Sequence, residues 1–136
     1  MLEKRAREQY GLTMNVGPFG IDSRPALIVE KYAETQGKGE AFHKAVMQAY
    51  WQQARSIDEK AVLKEIAEQV GLSTENFDDV LASPSFDEEV SADVELAHEY
   101  GLTGVPALIF ADRYLVVGAQ PFDTFKQVVE KILEET

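Results

Sequence analysis

The sequence has 136 residues, a formal net charge of −11 and no cysteine. Its length suits one domain that buries roughly two thirds of its unfolded surface. The excess of acid disfavours nucleic acid and membrane surfaces as partners, because both require clustered Lys and Arg, and no apolar run approaches the ~20 residues that span a bilayer. The lack of Cys excludes disulfides, thiolate nucleophiles and Cys-based metal sites.

The two histidines also give no sign of a metal centre. His43 and His98 lie far apart in the sequence, and neither belongs to an HExxH-type pair. We therefore expect no metal site and no cofactor. The residues after Met1 include no apolar segment of the kind found in secretory signals, which favours a cytoplasmic location.

Helical patterns dominate the first hundred residues. Residues 2–10 predict the end of a helix that Gly11 closes in the left-handed conformation. Residues 12–16 alternate, as in a short strand or an extended segment. From 22 to 101, apolar side chains at helical spacing predict about five helices joined by short loops.

Two serines in this helical block are candidate helix caps. Ser73 precedes a short apolar pattern, and Ser85 with Glu88 fits a capping box. We therefore expect helices to begin at these two positions.

The last third of the chain changes its period. Pro106–Phe110 predicts a buried strand, 111–113 a turn, and Tyr114–Gly118 a second strand, which a connection this short makes antiparallel to the first. Gln120–Pro121 then opens a final helix. The side chains that we expect on its buried face are Phe122, Phe125, Val128, Val129, Ile132 and Leu133.

Two short motifs flank this hairpin. Gly104-Val105-Pro106 begins the first strand, and the run 118–121, Gly-Ala-Gln-Pro, leads into the final helix. With these motifs behind a helical block of this length, the chain resembles the DsbA-like thioredoxin-fold family, and most closely its FrnE-like branch. The resemblance covers about residues 12–133. A related branch, similar to 2-hydroxychromene-2-carboxylate isomerases and kappa-type glutathione transferases, uses an N-terminal Ser that is also absent here.

The resemblance implies an α/β chain with an incomplete thioredoxin-like fold. It implies a single domain over 1–136, in which about 22–101 is a helical insertion and 102–136 is the β-β-α thioredoxin motif. In the family, a strand, a CxxC sequence and a helix precede this part. Because this chain opens inside what resembles the helix that follows the CxxC, we expect that N-terminal portion to be missing.

The resemblance also implies a site. In the family, a cis proline at the position of Pro106 faces the redox CxxC, and the preceding residue lies beside the substrate. Val105 and Pro106 are thus the implied substrate-binding residues, for a peptide or a small thiol compound. From the residues alone, the simpler interpretation is that Pro106 only starts a strand. No catalytic residue is assigned, since redox exchange needs a thiolate.

Three functional interpretations remain open. The chain is a protein dithiol–disulfide oxidoreductase or isomerase domain that is inactive by itself, a non-catalytic binding module that uses the proline, or a structural fragment without activity. The strand at 106–110 lacks the neighbour that it has in the full thioredoxin sheet, so we expect its edge to pair with a second copy in a homodimer. In a variant of this expectation, residues 12–16 cover that edge instead.

Overall fold

A computed structural model describes all of residues 1–136. It contains seven helices and one two-stranded sheet. In chain order the elements are α1 (Leu2–Tyr10), α2 (Arg24–Thr35), α3 (Gly39–Gln52), α4 (Lys60–Gln69), α5 (Phe77–Leu81), α6 (Pro84–Glu99), β1 (Ala107–Phe110), β2 (Tyr114–Val117) and α7 (Phe122–Glu134). No helix is both long and apolar enough to cross a bilayer. The five predicted helices of the 22–101 block are confirmed as α2–α6, and the hairpin and the final helix are confirmed as well.

The chain divides into two compact units, Met1–Ser91 (unit 1) and Ala92–Thr136 (unit 2), and the boundary falls within α6. Unit 1 contains a continuous hydrophobic core. Its largest fully buried side chains come from three different helices: Val29 from α2, Phe42 from α3, and Leu63 and Ile66 from α4. The helical spacing of apolar residues therefore places each of these side chains on the inner face of its helix.

The segment between α1 and α2 is extended and forms no strand. Gly11 ends α1 with φ 64°, as predicted. The Asn15 N–H then donates to the Trp51 carbonyl at 2.9 Å, and the Gly17 N–H donates to the Tyr50 carbonyl at 2.6 Å. These bonds attach residues 12–16 to the end of α3, while β1 pairs with β2 alone. The expectation that this segment covers the edge of β1 is wrong.

Both predicted serine caps are also wrong. The N-cap of α5 is Asn76 rather than Ser73, and α6 begins at Pro84, one residue before Ser85. The Ser83 hydroxyl accepts a bond of 3.4 Å from the Phe86 N–H at this end. Proline is favoured in the first turn because its missing N–H has no partner there in any case, so the helix begins earlier than the capping box indicates.

Unit 2 is the end of α6, the hairpin and α7. The strands pair antiparallel with Leu108 opposite Val116 and Ile109 opposite Leu115. α7 packs on the face of the hairpin that carries Phe110, whose ring centre lies 6.3 Å from that of Phe125. No residue of α7 is buried, however. Phe125, Val128 and Ile132 are half-buried, whereas Phe122, Val129 and Leu133 are exposed. The predicted burial of the whole face is therefore wrong, because a two-stranded sheet is too narrow to cover a helix of this length.

Candidate functional site

The sequence-predicted site residues lie on the surface, immediately before β1. Val105 is 92% exposed, and Pro106 is exposed as well. The Val105–Pro106 peptide bond is cis, which is the isomer that the resemblance implies. We call these two residues the proline lip.

The hairpin holds the proline lip against the second motif. The Gly118 N–H donates to the Pro106 carbonyl at 2.7 Å, and the Gln120 side-chain amide donates to the Val117 carbonyl at 2.9 Å. Gly118 has φ 85°, a conformation that L side chains rarely adopt. The two motifs are 12 residues apart in the sequence between Pro106 and Gly118, and the antiparallel pairing brings them together.

The backbone of β1 has one unpaired edge. Because the Gly118 N–H bonds to Pro106, the antiparallel pattern directs the N–H and C=O groups of Leu108 and Phe110 towards β2. The corresponding groups of Ala107 and Ile109 then point the other way. The sheet has no third strand, so these groups form the open edge of β1. The sequence pattern gives strand positions but not which residues face an empty edge.

The proline lip carries no side chain suited to acid–base or redox chemistry. Residues 101–111 and 115–122 contain no Asp, Glu, Lys, Arg, His, Cys or Tyr. What the lip presents is an exposed apolar side chain and backbone hydrogen-bonding groups. Such a surface can bind an extended chain through its backbone.

A cluster of titratable groups in unit 2 lies at the turn end of the hairpin instead. The Tyr114 hydroxyl donates to the Glu135 carboxylate at 2.6 Å, and Arg113 forms an ion pair with the same carboxylate at 3.0 Å. The Tyr114 hydrogen bond, aided by the positive charges of Arg113 and Lys131, holds the pKa of Glu135 below its ordinary value. This cluster joins β2 to the end of α7.

Unit 1 has its own polar groups, which sequence patterns do not reveal. The Arg24 guanidinium donates to the Asp87 carboxylate at 2.7 Å and to the Ser91 hydroxyl at 2.7 Å, joining α2 to α6. The hydrogen bond from Arg24 to Asp87 lowers the pKa of the Asp87 carboxyl group. No motif signals the pair, since its members are 63 residues apart.

A cavity of about 410 Å³ in unit 1 lies between α2, α5 and the start of α6. Tyr32 and Phe86 line it with ring centres 6.2 Å apart, and Asp79 is the one charged residue of its lining. The histidines lie elsewhere: His43 contacts Glu30 at 3.1 Å and His98 lies 3.9 Å from Glu95. No group of three or more His, Asp or Glu is arranged to hold a metal ion.

Comparison with known proteins identifies the fold and the lineage. Residues 3–130 match the family described as DSBA-like thioredoxin domain. The chain belongs to this family. A probable DsbA oxidoreductase from Streptomyces coelicolor has a similar structure, with 27% identity and a TM-score of 0.77, over 99% of this chain and 58% of that one. The recognised family and the predicted fold class are thereby confirmed.

Two further proteins are similar to this chain. The cytosolic disulfide reductase DsbM from Pseudomonas aeruginosa is 26% identical with a TM-score of 0.57, over 88% of this chain and 62% of that one. The uncharacterized protein YwbO of Bacillus subtilis (strain 168) is 27% identical over 99 residues, which are 72% of this chain and 49% of YwbO. The chain thus spans between about half and three fifths of the length of these relatives.

Proposed function

We propose that this chain is the substrate-facing part of a thiol–disulfide oxidoreductase or isomerase, and that it has no redox turnover by itself. The observation that carries the proposal is the pairing of an exposed proline lip with a sequence that contains no cysteine. Disulfide exchange proceeds by attack of a thiolate on sulfur, and this chain has neither a thiolate nor a disulfide to offer.

The membership of the family supports the first half of the proposal, and the chemistry of the lip supports the second. A thioredoxin-type redox site needs a thiol whose pKa is lowered by its surroundings. The residues around Val105 and Pro106 include no thiol and no charged group. What remains for the lip is to align a peptide or a small thiol compound.

An insulin-reduction assay with dithiothreitol as the electron donor tests the redox half. We expect the rate with this chain to equal the rate without protein, while a thioredoxin containing a CxxC pair serves as the positive control. A rate above the blank that follows the chain through two independent purification schemes would contradict the proposal.

A second candidate function is a binding module that makes and breaks no bond. The open edge of β1 favours it, because unpaired N–H and C=O groups next to an exposed Val105 can take up an extended peptide as an added strand. A small thiol compound is the other candidate ligand, and a solved structure of the Pseudomonas reductase contains GSH. The probes are therefore a fluorescein-labelled apolar peptide and glutathione.

Val105→Asp tests this candidate, with Val94→Asp as its matched control. Both side chains are exposed and lie in unit 2, but only Val105 belongs to the lip. The expected result is at least about a tenfold weaker binding of the probe by Val105→Asp, equivalent to about 1.4 kcal/mol, and unchanged binding by Val94→Asp. Equal affinities of both variants and the unmodified chain would remove the lip as the binding site.

The assignment to the FrnE-like branch and to the cytoplasm belongs to the same proposal. The Gly-Ala-Gln-Pro run before α7 supports the branch, and the likeness to a reductase described as cytosolic supports the compartment. Fractionation of the native cells tests the compartment: recovery of the protein in the periplasmic or secreted fraction would contradict it.

A further inference from the structure

We propose that the open edge of β1 binds a second copy of this chain, so that two hairpins form one four-stranded antiparallel sheet about a two-fold axis. This inference is independent of the redox half of the proposed function, since it concerns assembly rather than turnover, and it competes with the peptide-binding candidate, because both would occupy the same edge of β1. It follows from the register of the hairpin, from the distribution of charge and from the burial of unit 2.

The register of β1 is complementary to itself. The outward backbone groups belong to Ala107 and Ile109, which lie symmetrically on either side of Leu108. If two β1 strands meet antiparallel with Leu108 opposite its own copy, Ala107 of each strand lies opposite Ile109 of the other. These are the pairs that exchange both of their N–H···O bonds, so every outward group of both strands obtains a partner.

Charge favours this surface over others for a second copy. The chain carries a net charge of −11, so two copies repel each other over most of their surfaces. Residues 101–111 carry no charge at all, and this is the segment that forms the edge and its approach. Along β2 the situation differs, because the charged groups of Arg113, Lys131 and Glu135 gather around Tyr114, its first residue.

Unit 2 buries few of its apolar side chains. Val116 is its one buried apolar residue, at 9% exposure. Leu108 is 38% exposed and Ile109 37%, although both belong to a strand whose sequence is that of a sheet interior. Unpaired edges of apolar strands are templates for another strand, and self-pairing would place Leu108 against its own copy at the centre of the seam.

The test is the mass of the full chain in solution, measured by light scattering behind size exclusion from high to low micromolar concentration. The expected species is a dimer, twice the 15.2 kDa of one chain, that dissociates on dilution. Leu108→Lys should raise its dissociation constant by about a hundredfold, because two ammonium groups would face each other across an apolar seam.

Leu115→Lys is the matched control, since Leu115 is 41% exposed and lies on β2, one strand away from the seam. It should leave the dimer intact. Ile109→Pro is a second seam variant: it removes an outward N–H without removing a bond between β1 and β2, and edge strands tolerate proline in that orientation. Far-ultraviolet circular dichroism confirms that each variant is folded.

Three outcomes would overturn the inference. One is a monomer at every concentration of the unmodified chain. Another is a dimer that persists in both Leu108→Lys and Ile109→Pro. The third is a dimer that Leu115→Lys disrupts while Leu108→Lys does not, which would place the contact on β2.

Discussion

Unit 1 contains fifteen of the sixteen buried apolar residues of the chain, and unit 2 contains one, Val116. The sequence patterns of the two units are nevertheless similar, since each unit has apolar side chains at helical or strand spacing. In unit 1 three helices converge and cover one another's apolar faces. In unit 2 a two-stranded sheet and a helix have too few neighbours to do so, and exposed hydrogen bonds and ion pairs connect them.

This difference teaches that periodicity shows which face of an element is apolar but not whether anything covers that face. The hydrophobic effect stabilises only surface that is removed from water. Unit 1 is therefore expected to resist unfolding through its core, and unit 2 to gain stability from whatever pairs with its open edge. Substitutions of the same kind in both units can separate these contributions.

The largest effect is expected for a phenylalanine in each unit. Phe42 is fully buried, whereas Phe122 is 78% exposed. Phe42→Ala should lower the free energy of unfolding by about 3–5 kcal/mol through lost burial and a residual cavity, and Phe122→Ala should change it by no more than about 0.5 kcal/mol. Urea unfolding followed by circular dichroism measures both. Similar losses in the two variants would break the comparison.

A pair of glycines gives the next largest effect. A Cβ at Gly17 would lie 2.5 Å from the Arg55 carbonyl and 2.5 Å from the Tyr50 ring, whereas one at Gly104 would meet only Val117 at 3.9 Å. Gly17→Ala should cost about 1–3 kcal/mol of unfolding free energy, as overpacking does. Gly104→Ala should be nearly neutral in the same urea titration. A neutral Gly17→Ala would mean that residues 12–17 are not held against α3.

A substitution in the turn of the hairpin is expected to stabilise unit 2. Ala111 has φ 50° and Asp112 has φ 53°, and the left-handed conformation costs an L residue such as alanine roughly 1–2 kcal/mol. Ala111→Gly should therefore slow hydrogen exchange of the hairpin amides by stabilising it by about 1 kcal/mol, while exchange in α3 stays unchanged. Faster exchange in β2 would show that the turn is not under this strain.

The smallest effect concerns the pKa of Glu135 and the dependence of stability on pH. The pKa of Glu135 lies below its ordinary value chiefly because of the Tyr114 hydrogen bond. Its contribution to stability is present above the pKa of the unfolded chain and is lost as the pH falls through the lowered pKa. In Tyr114→Phe the pKa should rise towards its ordinary value, while the pKa of Asp87 in unit 1 stays low. NMR titration of the carboxyl carbons measures both pKa values. An unchanged pKa of Glu135 in this variant would contradict the assigned cause.

Much of the fold could be predicted from the sequence because its signals are local. The spacing of Phe42 and Val46 predicts a helix, Gly11 predicts where α1 ends, and the short connection at 111–113 predicts an antiparallel hairpin. The serine caps failed because several polar residues near Ser73 and Ser85 can cap, and packing chooses among them. Residues 12–16 are extended rather than a strand because their hydrogen-bond partners, at the end of α3, lie far away in the sequence.

The candidate site was only partly accessible to prediction. Val105 and Pro106 were predicted through their motif and the family resemblance, and the structure adds the hydrogen bond from Gly118 to Pro106. The open edge beside them depends on the pairing register and on the sheet's having two strands. The Arg24–Asp87 pair is equally hidden, since nothing in either helix indicates its partner.

Native-state hydrogen exchange tests the central claim most directly, because it measures the stability of the two units in one molecule. At low micromolar concentration, the amides of Val29, Phe42 and Leu63 should exchange only through global unfolding. Those of Val116 and Gly118, whose N–H groups bond across the hairpin, should exchange through a local opening of lower free energy. Protection of the hairpin equal to that of α2–α4 at that dilution would contradict the account.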